Sequence, residues 1–125
     1  MEDNSYRKLL VYEKSKFLVI DIYQITKNYP KSELFGLVSQ MRRCAVSVTA
    51  NIVEGWARRN KKERLQFYCI SRASLTELEF YIDLSLDLKL IDSGIYNTLS
   101  IKQKEVAKLL NGLVKSQELK VKSSF

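Results

Sequence analysis

The chain has 125 residues, enough for one domain with a packed core, and its four Gly and one Pro favour long helices over short strands and turns. Lysine and arginine outnumber aspartate and glutamate by 21 to 14, and the net charge of +7 suits an anionic partner. Two cysteines without CxxC spacing and the absence of histidine argue against a zinc site, and no apolar run approaches the about 20 residues of a membrane span.

The first two predicted helices are separated by Pro30. Helix one is expected over residues 11–28, because the residue before a proline avoids the helical conformation. Helix two is expected to begin near Ser32 or Glu33 and to run to Gly55 or Arg59. Its apolar residues recur three and four positions apart, at Leu34, Leu37, Val38, Met41, Ala45, Val48 and Ile52.

Helix three is expected over residues 61–90, after a near match to a capping box at Asn60 to Glu63. It carries two apolar stripes, the first made of Phe67, Ile70, Tyr81, Leu84 and Leu88 and the second of Tyr68, Leu75, Leu78, Ile82 and Leu86. A peripheral helix of a small monomeric bundle needs only about a third of its circumference to be apolar. The surplus is therefore expected to face another subunit.

The last helix is expected over residues 95–119, after a turn at Asp92 to Gly94, and residues 120–125 are expected to be a frayed tail. Four helices with short connections predict a single all-α domain over residues 1–125, with its core at about 8–115. The expected architecture is an antiparallel up-down-up-down four-helix bundle that assembles into a homo-oligomer. Because no apolar signal segment opens the chain, we expect a cytoplasmic protein in which Cys44 and Cys69 are reduced and buried.

Hydrogen-bonding side chains recur along one side of the second helix. At about 100° per residue they lie within about 60° of a common line, and two more interrupt the first apolar stripe of the third helix. A carboxylate among apolar neighbours needs a partner, so Arg43 is expected to pair with Glu77 or Glu54. We interpret the set as a buried or half-buried structural network, called here the polar network: Gln40, Arg43, Ser47, Asn51, Glu54, Ser74 and Glu77. A nucleic-acid role for some of the arginines and a catalytic role are the alternatives.

The residue inventory argues against catalysis. Without histidine there is no Ser–His or Cys–His pair, and neither a Walker loop nor a GxGxxG pattern is present to hold phosphate. Acids two positions apart on a helix, such as Glu77 and Glu79, do not face one another. The sequence thus predicts no catalytic residues, no metal, no cofactor and no small-molecule substrate.

Five cations cluster where helix two meets helix three, and we call this set the basic corner: Arg58, Arg59, Lys61, Lys62 and Arg64. Phosphate contacts from such residues give sequence-independent affinity that falls with salt, so the corner is a candidate nucleic-acid site. A solvated basic surface is the alternative interpretation. Trp56 lies beside the corner, where filling a packing gap is favoured over stacking on a base.

The residues around the polar network resemble the signature of the 23S rRNA intervening-sequence protein family, also called the four-helix-bundle protein family. The resemblance covers residues 8–115 and rests on Tyr29-Pro30, Glu33-Leu34, Gly36-Leu37, Gln40, Arg42-Arg43, Ser47, Asn51-Ile52, Glu54-Gly55, Arg58, Ser74-Leu75 and Glu77-Leu78-Glu79. Ala57 stands where members usually have glycine, and Ala73-Ser74 where Gly-Ser is common. Alanine at position 57 predicts a gentler break and a longer helix two.

The resemblance implies a small bundle of a kind often encoded in insertions within bacterial 23S rRNA genes. Members are similar in fold to the accessory variability protein of diversity-generating retroelements, a basic pentameric barrel that binds nucleic acid and a reverse transcriptase. By that similarity this chain would form a homopentamer. The leading hypothesis is therefore a non-enzymatic oligomer that binds RNA or another nucleic acid at the basic corner. The second is a protein-interaction scaffold that docks a partner such as a reverse transcriptase.

Overall fold

The computed structural model describes residues 5–123, and over that range the chain is all-α with no strand. Its four helices are α1 (Leu10–Thr26), α2 (Ser39–Ala57), α3 (Lys61–Asp87) and α4 (Ser93–Lys122). Two 3₁₀ turns, Tyr6–Lys8 and Lys31–Glu33, and one π-helical segment, Leu34–Val38, complete the described chain. This architecture fits the predicted four-helix bundle.

Each helix packs on the next along the chain, and α4 returns to pack on α1. All four helices supply the core with apolar side chains spaced three and four residues apart. Large core side chains that are at most 2% exposed come from every helix: Leu18 and Ile22 from α1, Met41 and Ile52 from α2, Tyr68, Leu75, Leu78 and Ile82 from α3, and Leu99 and Leu110 from α4. No helix among residues 5–123 is long and apolar enough to cross a membrane.

Side-chain caps fix the beginnings of α3 and α4. The Asn60 Oδ1 atom accepts hydrogen bonds from the backbone N–H groups of Lys62 and Glu63, at 2.9 and 3.0 Å, which confirms the Asn60 half of the predicted capping box. The Asp92 carboxylate accepts one from the N–H of Ile95 at 2.8 Å. Both caps satisfy donors that the first helical turn leaves without a partner.

Helical turns begin at Lys31, near the predicted beginning of helix two, but the regular α-helix begins later than predicted. The α-helix begins at Ser39 because Gly36 has non-helical backbone angles (φ −109°, ψ −107°). The Glu33 carboxylate also accepts the N–H of Leu37 at 3.4 Å, which completes the turn before the α-helix. At its other end α2 runs two residues past Gly55, to Ala57, in keeping with the alanine at that position.

The other helix ends differ by two or three residues from those predicted. Helix α1 ends at Thr26, and α3 ends at Asp87 because Lys89 takes a left-handed backbone conformation with φ 60°. Helix α4 continues to Lys122, so residues 120–122 are helical instead of frayed. Residues 124 and 125 of the predicted tail lie outside the described residues.

The two apolar stripes of α3 have different environments. Most of the second stripe is core, and Tyr68, Leu75, Leu78 and Ile82 are buried. The first stripe remains partly open, with Ile70 43% and Leu88 53% exposed. The single chain therefore leaves part of the apolar surface of α3 without a partner.

Of the two cysteines, Cys44 is buried as predicted, whereas Cys69 is only half-buried. Tyr68 fills the core position of that turn, and the next residue points about 100° away from it.

Candidate nucleic-acid interface and polar network

The basic corner is the connection between the C-terminus of α2 and the N-terminus of α3. The backbone leaves α2 at Arg58, which is extended (φ −79°, ψ 142°). Helix α3 begins directly after the Asn60 cap. Because only three residues separate the helices, the five cations lie within one turn of either helix end. Four of them have exposed side chains: Arg58, Arg59, Lys61 and Lys62.

Arg64 differs from the other four cations because it is half-buried beneath the corner. Its guanidinium donates hydrogen bonds to the backbone carbonyls of Arg58 (Nε, 2.5 Å) and Trp56 (Nη2, 3.0 Å). It also stacks over the Trp56 ring, with the Cζ atom 5.4 Å from the ring centroid. Arg64 thus satisfies carbonyls that the end of α2 leaves open, and the half-buried Trp56 contributes to packing.

Arg58 is oriented by two neighbours. Its Nη2 atom lies 3.1 Å from Glu54 Oε2, one turn earlier on α2. Its Cζ atom lies 4.8 Å from the centroid of the Phe67 ring on α3. The guanidinium is therefore held flat against the end of the bundle by an ion pair and a cation–π contact.

In the polar network, the predicted pair of Arg43 with Glu77 is present, with 2.7 Å between Nη2 and Oε2. Arg43 also donates to Gln40 Oε1 from Nη2 at 2.8 Å and from Nε at 3.1 Å. The alternative partner, Glu54, is instead paired with Arg58. The Arg43 and Glu77 side chains are 57% and 40% exposed, so this pair lies on the surface of the single chain.

The remaining members form a second, uncharged group. The Ser47 and Ser74 hydroxyls lie 2.8 Å apart and join α2 to α3. The Asn51 amide donates to the Ser47 carbonyl at 2.8 Å and to the Ser47 hydroxyl at 3.0 Å. The seven predicted residues therefore divide into three hydrogen-bonded groups along one face of α2 and α3. These are Gln40 with Arg43 and Glu77, Ser47 with Asn51 and Ser74, and Glu54 with Arg58.

Sequence reasoning missed the contribution of Cys44 to this network. Its thiol is fully buried and donates a hydrogen bond to Glu77 Oε2, with 2.8 Å between sulfur and oxygen. Burial, together with this bond, raises the pKa of the Cys44 thiol to about 12. The same bond, with the charge of Arg43 adding, lowers the pKa of the Glu77 carboxyl from its ordinary value. The thiol is held protonated, and the carboxylate is held charged.

The last turns of α4 also reach the basic corner, which the sequence did not predict. The Gln117 Nε2 atom donates to the backbone carbonyl of Lys61 at 3.1 Å, and the Gln117 side chain is only 3% exposed. The sequence signal that could have predicted a buried Gln117 was its spacing from the apolar residues of α4. Five residues follow one another at helical intervals, and all five are buried: Gln103, Val106, Leu110, Val114 and Gln117. Gln117, the last residue of that series, extends the inward face to the corner.

The described residues contain no group of three or more His, Cys, Asp or Glu side chains placed to hold a metal ion.

Comparison with known proteins decides the family. The model of the 23S rRNA-intervening sequence protein family matches residues 7–112. The chain belongs to this family. A solved structure similar to this member of the family is a protein of unknown function from the S23 ribosomal protein family of Bacteroides thetaiotaomicron VPI-5482. The two are 22% identical with a TM-score of 0.79 over 85% of this chain and 96% of the other, which shows a shared fold. No curated protein matches the chain.

Proposed function

We propose that the protein is a self-assembling four-helix protein that binds RNA or another nucleic acid through its basic corner and catalyses no reaction. The observation that carries the proposal is the position of Arg64. It binds the backbone carbonyls of Trp56 and Arg58 from below, and so holds the corner in one shape. Around it, Arg58, Arg59, Lys61 and Lys62 all have exposed side chains within five consecutive residues.

Phosphate chemistry supports a nucleic acid as the ligand. Arginine and lysine side chains bind phosphate oxygens through charge-assisted hydrogen bonds. Two aromatic rings beside the corner, Trp56 and Phe67, each have a guanidinium over one face, supplied by Arg64 and Arg58. The corner therefore suits contacts to the nucleic-acid backbone better than stacking on bases, and we expect weak sequence selectivity.

The absence of a reaction is supported by the state of Cys44. This buried thiol is hydrogen-bonded to Glu77, and its raised pKa keeps it protonated near neutral pH. No histidine in the chain can act as a general base.

Self-assembly is proposed through the face of α2 and α3 that carries the polar network. Contacts between Thr26 and Arg42, and between Ser15 and Thr49, support antiparallel packing of α1 and α2. Contacts between α2 and α3 and between α3 and α4 also run in opposite directions along the two helices, which supports an up-down-up-down bundle: Arg43–Glu77 and Ser47–Ser74, then Asp83–Tyr96 and Lys61–Gln117. The face combines the half-exposed Arg43–Glu77 pair with the exposed Ile70, a mixture suited to a second copy of the chain. By similarity to the retroelement accessory proteins, we propose a homopentamer.

A protein-interaction scaffold is the second candidate. It is favoured by apolar side chains that α3 leaves open, since Phe80 is 57% and Leu88 53% exposed. They lie beside Glu79, Asp83 and Asp87, a surface that would suit a basic protein such as a reverse transcriptase.

Fluorescence anisotropy with a labelled structured RNA tests the corner. We expect binding that weakens steeply between low and high salt, and an Arg59→Gln/Lys62→Gln variant that loses most of it while keeping the same solution mass. The matched control is Lys27→Gln/Lys31→Gln, which removes the same charge beyond the other end of α2. An equal loss of RNA affinity in both variants, or an affinity that does not change with salt concentration, would refute a binding site at the corner.

Light scattering tests assembly on the same samples. We expect a mass well above 14.6 kDa in the presence of nuclease, and a monomer after Ile70→Glu. A wild-type monomer would overturn the assembly proposal.

A further inference from the structure

Helix α4 extends beyond the part of the chain that matches the family. The match ends at residue 112, whereas the helix continues without a break to Lys122. This extension carries three lysines and one acid: Lys115, Lys120, Lys122 and Glu118. The charge that it adds is therefore a property of this chain and not of the matched family region.

The extension is docked on the bundle. Val114 is fully buried and Gln117 is 3% exposed, and the Gln117 amide bonds the Lys61 carbonyl in the first turn of α3. This bond fixes the end of α4 beside the basic corner. A tail without such contacts would leave its lysines at no defined position.

The lysines of α4 are arranged as a track on its outer side. At about 100° per residue, Lys104, Lys108, Lys115 and Lys122 fall within about 40° of one another, opposite the buried face of Leu110, Val114 and Gln117. All four lysines are exposed. The track rises about 27 Å at about 1.5 Å per residue, and the bond from Gln117 to the Lys61 carbonyl places its last part beside the first turn of α3. Along its last part, Lys115 and Lys122 border a shallow depression with Glu118 and Leu119.

We propose that this lysine track and the basic corner form one continuous surface for the phosphate backbone of a nucleic-acid duplex, with double-stranded RNA as the form tested. The proposal rests on the proposed function and names its ligand more closely. A straight, rigid row of cations matches the regular phosphates of a duplex. Single strands are held chiefly by aromatic rings on which their bases stack, and the described part of α4 has one aromatic residue, Tyr96, which is bonded to Asp83 instead.

Anisotropy titrations with a blunt RNA duplex longer than the track, and with each of its single strands, test this inference. We expect the duplex to bind more tightly than either strand. The Lys115→Gln/Lys122→Gln variant should bind the duplex about fivefold more weakly, with the slope of log affinity against log salt reduced by about 2. The control Lys27→Gln/Lys31→Gln removes equal charge and should keep the wild-type slope. Thermal unfolding of each variant checks that the exposed substitutions leave the fold intact.

The possible failures are distinguishable. If Lys115→Gln/Lys122→Gln binds like the wild type while Arg59→Gln/Lys62→Gln does not, the corner acts alone and the track is refuted. If the single strands bind as tightly as the duplex, the assignment of the ligand is wrong although the corner stands. If the wild-type protein binds neither this RNA duplex nor a DNA duplex of the same length, the proposed function fails, and the track fails with it.

Discussion

The ring of Tyr68 on α3 packs directly against the backbone of Gly55 on α2. A Cβ atom at position 55 would lie 2.6 Å from Cε1 and 2.8 Å from Cδ1 of that ring. The ring is 1% exposed and cannot swing away, and the Arg64 carbonyl would be only 3.2 Å from the same atom. The two helices approach this closely just before the basic corner because residue 55 has no side chain.

We therefore predict that Gly55→Ala lowers the free energy of unfolding by about 1–3 kcal/mol, because the overpacking outweighs the better helix propensity of alanine. Urea denaturation measures the change. Gly112→Ala is the matched control, since a Cβ there meets nothing within 4 Å, and it should stabilise the chain by about 0.5–1 kcal/mol. Stabilisation by both substitutions would contradict the close contact.

Lys89 provides a second prediction, at the C-terminus of α3. Its φ of 60° is a left-handed conformation, and the Leu90 N–H bonds the Ser85 carbonyl at 2.9 Å, as in a Schellman motif. Because glycine adopts this conformation without steric cost, Lys89→Gly should raise the free energy of unfolding by about 1 kcal/mol. Lys89→Ala removes the same charge but keeps the Cβ atom. It should give no gain in the same thermal or urea melts, and a gain equal to that of glycine would count against the backbone explanation.

The Glu77 carboxylate predicts a pH dependence of stability. Its pKa is lowered in the folded chain from an ordinary 4.5, first by the bond from Cys44, so its contribution is present above pH 4.5 and is lost as pH falls through the folded pKa. Glu77→Gln keeps the shape and removes the charge. It should destabilise the protein by up to about 1 kcal/mol at neutral pH, and the difference from wild type should shrink in acid. If the difference in free energy of unfolding between wild type and Glu77→Gln stayed constant from neutral to acidic pH, the charge of Glu77 would not contribute to stability.

The two cysteines should differ in reactivity toward a thiol reagent such as Ellman's reagent. Cys44 is fully buried with a pKa raised to about 12, whereas Cys69 is half-buried. We expect one thiol to react in the native protein and the second only after unfolding. Cys69→Ser should abolish the fast phase, and Cys44→Ser should leave it unchanged. If both thiols of the native wild type reacted fast, Cys44 would be accessible to the reagent without unfolding.

Arg64 should behave as a structural residue. Arg64→Lys keeps the charge but cannot reach both carbonyls with one planar group, so it should lower the free energy of unfolding by about 1 kcal/mol. Arg59→Lys, at an exposed position, should have little effect on stability. Anisotropy with RNA separates the roles further. Arg64→Gln removes the charge and should still keep the salt slope of the wild type, whereas Arg59→Gln should lower that slope by about 1. A salt slope lowered by Arg64→Gln would instead place Arg64 in contact with phosphate.

Local chemistry was enough to predict much of this fold. Four helices follow from the apolar spacing and the rarity of Gly and Pro, and the Asn60 cap follows from its side chain. The Arg43–Glu77 pair was predictable because a carboxylate within an apolar stripe requires a cation.

What the sequence did not predict depends on contacts between distant segments. The role of Arg64 depends on two backbone carbonyls, one in the last turn of α2 and one in the connection after it, and polarity patterns carry no information about a backbone acceptor. Similarly, Gln117 is polar by residue type and buried only because the Lys61 carbonyl is placed to accept its amide. Hydrophobic periodicity alone predicts that the buried face of α4 ends before such a glutamine.

The π-helical segment Leu34–Val38 constrains how the chain can change in length. It turns the backbone so that Leu37 and Val38 are buried while Phe35 remains 93% exposed. Deleting one residue there would rotate the preceding helical turn by about 100° relative to α2. That rotation would move a core side chain into water. Insertions and deletions accepted during evolution should therefore avoid this segment, which makes it a fixed point for aligning relatives.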